Sequence, residues 1–346
     1  SLKIVYTPIH GSGYKPVMAV LGKLGIVPEV VKEQVLPDEN FSTVEVPNPE
    51  NKEALSMGIS LAEKVRADVV FGTDPDCDRL GVAIRNDDGE FVSLTGNQVG
   101  VLLSDYIIYR LKEEGKLPDN AVIVKSFVSS GLVVPIAKHY GVEVVDVPVG
   151  FKYIGEKIKQ YEKTKEKTFI FGFEESCGYL RGTHARDKDA VVASMLFAEM
   201  VCYYNYKNVS VFKRLGSIYE KFGYAAEKTA SLKYDGINAM DEMNEVVNSL
   251  KGKYVAKIGG YNVREVRDYS SATAITCDGK TVPVDSERTN AVYYELENGM
   301  FICVRPSGTE PKLKIYYFAM AKDELNAKKA LENLVSGFDE TVLKKN

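Results

Sequence analysis

Tryptophan is absent, histidine occurs three times and cysteine five times in 346 residues. The missing tryptophan carries no functional message, but the other scarcities do. His10, His139 and His184 are too scattered to make a histidine metal site. Cys77, Cys177, Cys202, Cys277 and Cys303 are odd in number, widely spaced and never in a C-x-x-C arrangement, which excludes a zinc ribbon and a dithiol motif. Free thiols in a reducing cytoplasm are the reading that remains. No G-x-x-x-x-G-K-[ST] and no G-x-S-x-G string occurs, so a P-loop and a nucleophile elbow are both missing. The longest apolar run, Ala190–Val201, is broken by Ser194 and Glu199 and is too short to cross a bilayer. Basic residues show no excess: 44 against 48 acidic gives a net charge of −4, which argues against a nucleic-acid partner.

What is present is an ordinary globular composition, 45% hydrophobic and 27% charged, which excludes a disordered tail, a collagen-like rod and a coiled coil. The length suggests about two to three domains. Ile4–Tyr6, Val69–Phe71, Val122–Val124 and Phe169–Phe171 read as short apolar strands that run into Gly/Ser or acidic loops. Helical patterns at Lys15–Leu24 and Leu132–Tyr140 follow the first and third, each closed by a glycine, Gly25 or Gly141. Strands alternating with helices predict α/β sheets with parallel pairs.

These stretches also repeat. Ile4–Gly13 (IVYTPIHGSG) lies over Val122–Gly131 (VIVKSFVSSG) at an offset of 118, and Val69–Asp74 (VVFGTD) over Phe169–Glu174 (FIFGFE) at an offset of 100. The expectation is two homologous α/β domains over 1–95 and 96–209, then a connecting helix over 210–230. In the last third, strand-like and helical runs segregate, which predicts an α+β domain over 231–346. The chain opens at Ser1, directly ahead of the strand-like Leu2–Tyr6, and we therefore expect a piece of a longer polypeptide.

Three loops carry chemistry. In Gly72-Thr73-Asp74-Pro75-Asp76-Cys77-Asp78-Arg79 three carboxylates recur at every second residue after a buried strand. Three like charges turned toward one point call for a cation, and an all-oxygen donor set favours Mg²⁺; the alternative is a solvated acidic turn. An EF-hand is excluded, because Arg79 and Arg85 stand at its sixth and twelfth positions. Arg79 is suited to neutralise a carboxylate or reach a substrate phosphate. Gly172-Phe173-Glu174-Glu175-Ser176-Cys177-Gly178-Tyr179 occupies the same place in the second repeat. Its acceptors and hydroxyl suit bidentate hydrogen bonds to sugar hydroxyls, or form a plain polar turn. Arg305-Pro306-Ser307-Gly308-Thr309-Glu310-Pro311 offers a guanidinium fork, two hydroxyls and a glycine that lets backbone amides converge on an anion, or else is a proline-bounded hairpin. Lys152 and Lys188 are further candidates to hold phosphate, with surface exposure as their default.

Together, TDPDCDR, GFEESCGY and RPSGTEP, in that order, resemble the metal-, sugar- and phosphate-binding loops of the α-D-phosphohexomutase family, which includes phosphoglucomutases and phosphomannomutases. The longer strings GTDPDCDRLGVA and FGFEES-x-GYL are similar to the branch that holds bacterial phosphoglucomutases and the animal phosphopentomutase and glucose 1,6-bisphosphate synthase. The resemblance covers essentially the whole chain. It implies related α/β domains followed by a fourth domain like the TATA-binding protein. It implies Asp74, Asp76 and Asp78 as Mg²⁺ ligands and Glu174 and Ser176 as sugar-binding groups. Arg305, Ser307, Gly308 and Thr309 would hold the phosphate that is not reacting. Arg79 and Lys188 take catalytic places, and Lys152 matches a lysine of the family's G-[WF]-K element. The family's first domain carries a T-A-S-H-N-P-type loop with the phosphorylated serine, and no such string occurs here. Ser12, in Thr7-Pro8-Ile9-His10-Gly11-Ser12-Gly13, belongs to the opening of the second domain and is not that nucleophile.

The resemblance thus implies domains two to four of a cytoplasmic enzyme that interconverts glucose 1-phosphate and glucose 6-phosphate. The reaction would run through a phosphoserine and glucose 1,6-bisphosphate, which is both intermediate and activator. The partner is a phosphosugar, and neither nucleic acid nor membrane is expected. Without the serine domain the chain alone is expected to have no turnover. Phosphopentomutase and bisphosphate synthase are the alternatives within the family. A sugar-phosphate-binding module without catalysis is the alternative outside it. A phosphatase using Asp74 as nucleophile and Asp76 as acid expects Thr or Val two places after Asp76, where Asp78 stands.

Overall fold

The structure is a computed structural model that describes residues 2–236, 238–307 and 311–343. It divides into two compact units, Ser1–Ser129 with Val133–Ile218, and Ser130–Leu132 with Tyr219–Asn346.

The first unit holds two sheets. The first is built from β1 (Ile4–Thr7), β2 (Glu29–Val30), β3 (Val69–Thr73), β4 (Leu80–Arg85) and β5 (Phe91–Ser93) in the order β2-β1-β3-β4-β5, with α1 (Tyr14–Lys23) and α2 (Ser56–Val65) between strands. α3 (Gly96–Glu113) leads into the second sheet. This contains β6 (Ala121–Ser126), β7 (Glu143–Val147), β8 (Thr168–Glu174) and β9 (Gly178–Leu180) in the order β7-β6-β8-β9, with α4 (Val133–Tyr140) and α5 (Phe151–Thr164). In both sheets the first two pairings are parallel and the next is antiparallel. The repeat seen in the sequence is therefore a repeat of topology. β1 and β3 are buried at every position, as central strands covered on both faces must be. Gly25 and Gly141 have φ of 74° and 76°, the left-handed conformation that stops α1 and α4.

α3 starts with a capping box, Thr95 accepting from the Gln98 amide while the Gln98 side chain accepts from that of Thr95. The apolar run of the sequence lies in α6 (Ala190–Tyr206), a buried helix begun by Asp189, whose carboxylate accepts from the Val191 and Val192 amides. No helix of the described residues is long and apolar enough to cross a membrane.

The expected connecting helix over 210–230 is shorter in the structure. α7 (Val211–Phe222) ends it, and Tyr224–Lys233 is instead β10, paired along ten residues with β17 (Lys312–Ala321). Its half-exposed, alanine- and lysine-containing pattern hides the strand, which exists because β17 supplies the ladder. The second unit contains this antiparallel sheet. Between its ends lie α8 (Ala239–Leu250), β11 (Lys257–Ile258), β12 (Tyr261–Asp268), β13 (Thr273–Thr276), β14 (Thr281–Pro283), β15 (Val292–Leu296) and β16 (Phe301–Pro306). The strand order is β10-β17-β16-β15-β12-β13-β14, with β11 on β12. Met243 and Val247 of α8 and Leu334 and Phe338 of α9 (Glu324–Phe338) share one core with Tyr294, Ile302 and Ile315 of the sheet.

Candidate functional site

The acidic loop joins β3 to β4. Asp74 sits at the mouth of β3, almost fully buried, and its Oδ1 accepts from the backbone amides of Asp78 (3.0 Å) and Arg79 (2.9 Å). The Cys77 amide donates to the Asp74 carbonyl (3.0 Å), and Cys77 takes a φ of 60° to complete the turn. This winding brings carboxylate oxygens of Asp74, Asp76 and Asp78 within 4.8 Å of one another, as the alternating spacing requires. Burial, and then the fields of Asp78 and Asp76, push the Asp74 carboxyl up to about 7, against the pull of the Arg79 amide. Asp78 Oδ1 is buried without a hydrogen-bond partner. Clustered, underpaired carboxylate oxygens with no nitrogen or sulfur ligand among them fit a hard divalent cation of the Mg²⁺ kind.

Two cations belong to the same loop. Lys188 Nζ lies 2.6 Å from Asp78 Oδ2 and 3.4 Å from Asp187 Oδ1. Arg79 Nη1 lies 2.5 Å from Glu50, and its Nε is 3.7 Å from both Asp74 and Asp78. Sequence reasoning missed Glu50. It reaches the site from a turn 29 residues away, and its only local signal is a carboxylate in the proline-rich string Pro47-Asn48-Pro49-Glu50.

The sugar-loop candidate joins β8 to β9 and is bonded directly to the acidic loop. The Leu80 amide donates to the Cys177 carbonyl (3.0 Å), the Ala190 amide donates to the Cys77 carbonyl (3.2 Å), and Arg79 bridges Gly178. Glu174, also nearly buried, accepts from the Gly150 amide (2.7 Å) and so fixes the start of α5, the turn that carries Lys152. Gly150 has a φ of 126°, a conformation that excludes a side chain there. Burial, then the neighbouring Glu175, raises the Glu174 carboxyl to about 7. Glu175 accepts from the Ser126 and Ser129 hydroxyls at 2.9 and 3.3 Å. Ser176 is half-buried at the tip, and Lys152 is exposed, its ammonium 4.8 Å from the centre of the Tyr153 ring. The start of α3 presses on the same loop: a Cβ on Gly96 would stand 2.1 Å from the Glu175 carbonyl oxygen.

The histidines take no part in this cluster. His10 uses both ring nitrogens, on the Leu36 carbonyl and the Thr43 hydroxyl, each at 2.8 Å, and His184 pairs with Asp189 at 2.9 Å. Ser12 braces the acidic loop, its amide (2.8 Å) and hydroxyl (3.1 Å) both donating to the Pro75 carbonyl.

The third loop lies in the second unit. Arg305 stands opposite Lys314 in the β16–β17 ladder, and the Ser307 amide donates to the Lys312 carbonyl (2.8 Å). Two like charges directly opposite each other repel, and an anion bound between them removes that cost. Gly308 and Thr309 lie outside the described residues.

Known proteins match along this whole length. The models for domain II, domain III and the C-terminal domain of phosphoglucomutase/phosphomannomutase match residues 1–89, 95–222 and 247–331. A phosphoglucomutase of Staphylococcus saprophyticus is 35% identical over 324 residues, 91% of this chain and 57% of its own length. A phosphopentomutase of Pongo abelii is 34% identical over 352 residues, 98% of this chain and 57% of its own. The fold resembles that of pp63/parafusin, a Paramecium phosphoglucomutase, in its open form: TM-score 0.67, 18% identity, 98% of this chain and 57% of the other. The chain thus spans a little over half the length of the curated relatives it matches. Three successive domain models, the paired α/β sheets and the three loops in order place the chain in the phosphoglucomutase/phosphomannomutase family.

Proposed function

We propose that this chain is the metal-, sugar- and phosphate-holding part of a Mg²⁺-dependent phosphosugar mutase of the phosphoglucomutase type. Phosphopentomutase and glucose 1,6-bisphosphate synthase activities are the alternatives that use the same parts. The observation that carries the reading is the convergence of Asp74, Asp76 and Asp78 within 4.8 Å, beside Lys188, on a loop hydrogen-bonded to the sugar loop.

Asp74, Asp76 and Asp78 would hold the ion. When bound, Mg²⁺ supplies electrostatic stabilisation to the charge of a phosphoryl group in transfer. Lys188 and Arg79 are the chain's own donors to phosphoryl oxygens, and their present partners, Asp78 and Glu50, keep them aimed at the loop. Glu174 and Ser176 accept from sugar hydroxyls, and Lys152, at the start of the helix that Glu174 fixes, meets a phosphate at the other end of the sugar. Arg305 and Ser307, with Gly308 and Thr309, take the phosphate that is not reacting. A bisphosphate that turns around between two half-reactions needs such a site for whichever phosphate is idle. The phosphoryl donor is a serine on a loop of the T-A-S-H-N-P kind, a string this sequence does not contain, so this chain by itself binds substrate without turning it over.

Calorimetric titration of glucose 1-phosphate in Mg²⁺ tests the reading, with Arg305→Ala and Asp78→Asn beside the wild type. The expected result is binding weakened at least about tenfold by Arg305→Ala, and metal binding lost in Asp78→Asn. Binding indifferent to both substitutions refutes it. A coupled assay that finds mutase turnover by this chain alone refutes the assignment of the donor serine elsewhere.

A further inference from the structure

A second cleft lies in the first unit, lined by none of the three loops. It has a volume of about 540 Å³. Tyr109 of α3, Tyr203 and Tyr204 near the end of α6, Lys207 just beyond it, and Lys213 and Arg214 of α7 form its walls. We propose that this cleft binds a planar aromatic ring that carries a phosphate, the chemistry of a mononucleotide.

The aromatic half rests on the tyrosines. The Tyr203 and Tyr204 rings meet at 5.4 Å and Tyr109 and Tyr203 at 6.3 Å, inclined to each other by 75° and 60°, so the wall presents ring edges as well as faces. Tyr109 and Tyr203 are held in place by the Glu113 carboxylate, to which their hydroxyls donate at 3.3 and 3.2 Å. Inclined, fixed tyrosines beside open volume suit a flat ring that enters edge-to-face.

The anionic half rests on charge. The acids nearby are already engaged: Glu113 with Arg110 and the two phenols, Asp105 with Arg214, whose Nε lies 2.9 Å from the Asp105 carboxylate. Two ammonium groups are left over. Lys207 stands above the Tyr203 ring at 5.6 Å with no carboxylate partner among the described residues. Lys213 reaches only Asp87, at 4.0 Å, with both side chains largely in solvent. Tyr204, 6% exposed, keeps its hydroxyl buried beside the Asp105–Arg214 pair, with the Arg214 guanidinium 5.6 Å from the centre of its ring. An anionic oxygen entering the cleft would sit among the two lysines and match charge that the neighbouring acids leave uncompensated.

The test is calorimetric titration of this chain with AMP, beside adenosine and inorganic phosphate. AMP is expected to bind at least about tenfold tighter than either half alone. The surface pair Lys207→Ala/Lys213→Ala should weaken AMP about tenfold or more, Tyr203→Ala likewise, and Arg305→Ala should leave it unchanged, which separates this cleft from the phosphate loop. No binding at millimolar AMP overturns the proposal. So does binding lost in Arg305→Ala and kept in the lysine pair, or phosphate binding as tightly as AMP.

Discussion

Glu174 offers a test whose sign follows from its burial and whose size is of the order of a few kcal/mol. Its carboxyl is nearly buried and raised from an ordinary value near 4.5 to about 7, chiefly by burial. The folded chain therefore binds this proton more tightly than the unfolded chain does, so stability must fall as the pH rises from the unfolded pKa through the folded one. The full shift, 2.5 units at 1.36 kcal/mol each, is worth about 3 kcal/mol, of which about 2 kcal/mol is lost between about pH 5.5 and pH 8. Glu174→Gln keeps an oxygen that can accept from the Gly150 amide but removes the titration. Urea unfolding followed by circular dichroism, at several pH values from 5.5 to 8, gives the wild-type-minus-variant difference, in which the other titrating groups cancel. The variant should gain about 2 kcal/mol on the wild type across that interval. Parallel pH profiles for the two proteins would refute the reasoning: Glu174 would then be charged and well solvated, and its bond to the start of α5 would not be a buried one.

Three other outcomes follow from the same geometry. Mg²⁺ should raise the thermal midpoint of the wild type, with a stabilisation near 2.7 kcal/mol at a hundredfold excess over the dissociation constant, and should leave Asp78→Asn unmoved; scanning fluorimetry with and without chelator reads this. Gly96→Ala should destabilise the first unit by about 2 kcal/mol and weaken glucose 1-phosphate, because the new Cβ meets backbone atoms of the sugar loop that cannot step aside; thermal unfolding and calorimetry check the two halves. Asp105→Ala should cost about 3 kcal/mol in urea unfolding, since it leaves a largely buried guanidinium facing the empty place of a fully buried carboxylate on α3.

The loops were legible because each is a contiguous string whose spacing already states the geometry. D-x-D-x-D after a strand needed only a tight turn to converge, and Cys77 supplies it. What sequence reasoning could not see reaches the site across the chain. Glu50 holds Arg79 from 29 residues away, and the Gly150 amide meets Glu174 from 24. α3 escaped notice for a different reason. Val99, Val101, Leu102, Leu103, Tyr106, Ile107 and Ile108 are all buried, so the helix is apolar on nearly every face and shows no clean period of 3.6. β10 was hidden by the opposite condition, too little burial to impose an alternation.

The offset of 100 residues shows one local design carrying two different sets of side chains. Cys77 and Cys177 stand at matched positions and share the same left-handed backbone, with φ of 60° and 62°. Around that common pivot the side chains differ. Asp74 corresponds to Glu174, Asp76 to Ser176 and Asp78 to Gly178, so the second loop keeps one of the three carboxylates and loses the charge density a divalent cation needs. Gly178 also frees the space that Lys188 fills: a Cβ there would stand 2.7 Å from the Lys188 side chain. The residue that replaces the third carboxylate in the second loop is thus the one that lets the second repeat deliver an ammonium to the third carboxylate of the first, Asp78. The Leu80–Cys177 backbone bond and the Arg79–Gly178 bridge join the two loops, and the Ala190 amide ties the start of α6 to Cys77. The two loops form one paired structure in which the first repeat gathers three carboxylates and the second supplies the ammonium of Lys188 that balances one of them.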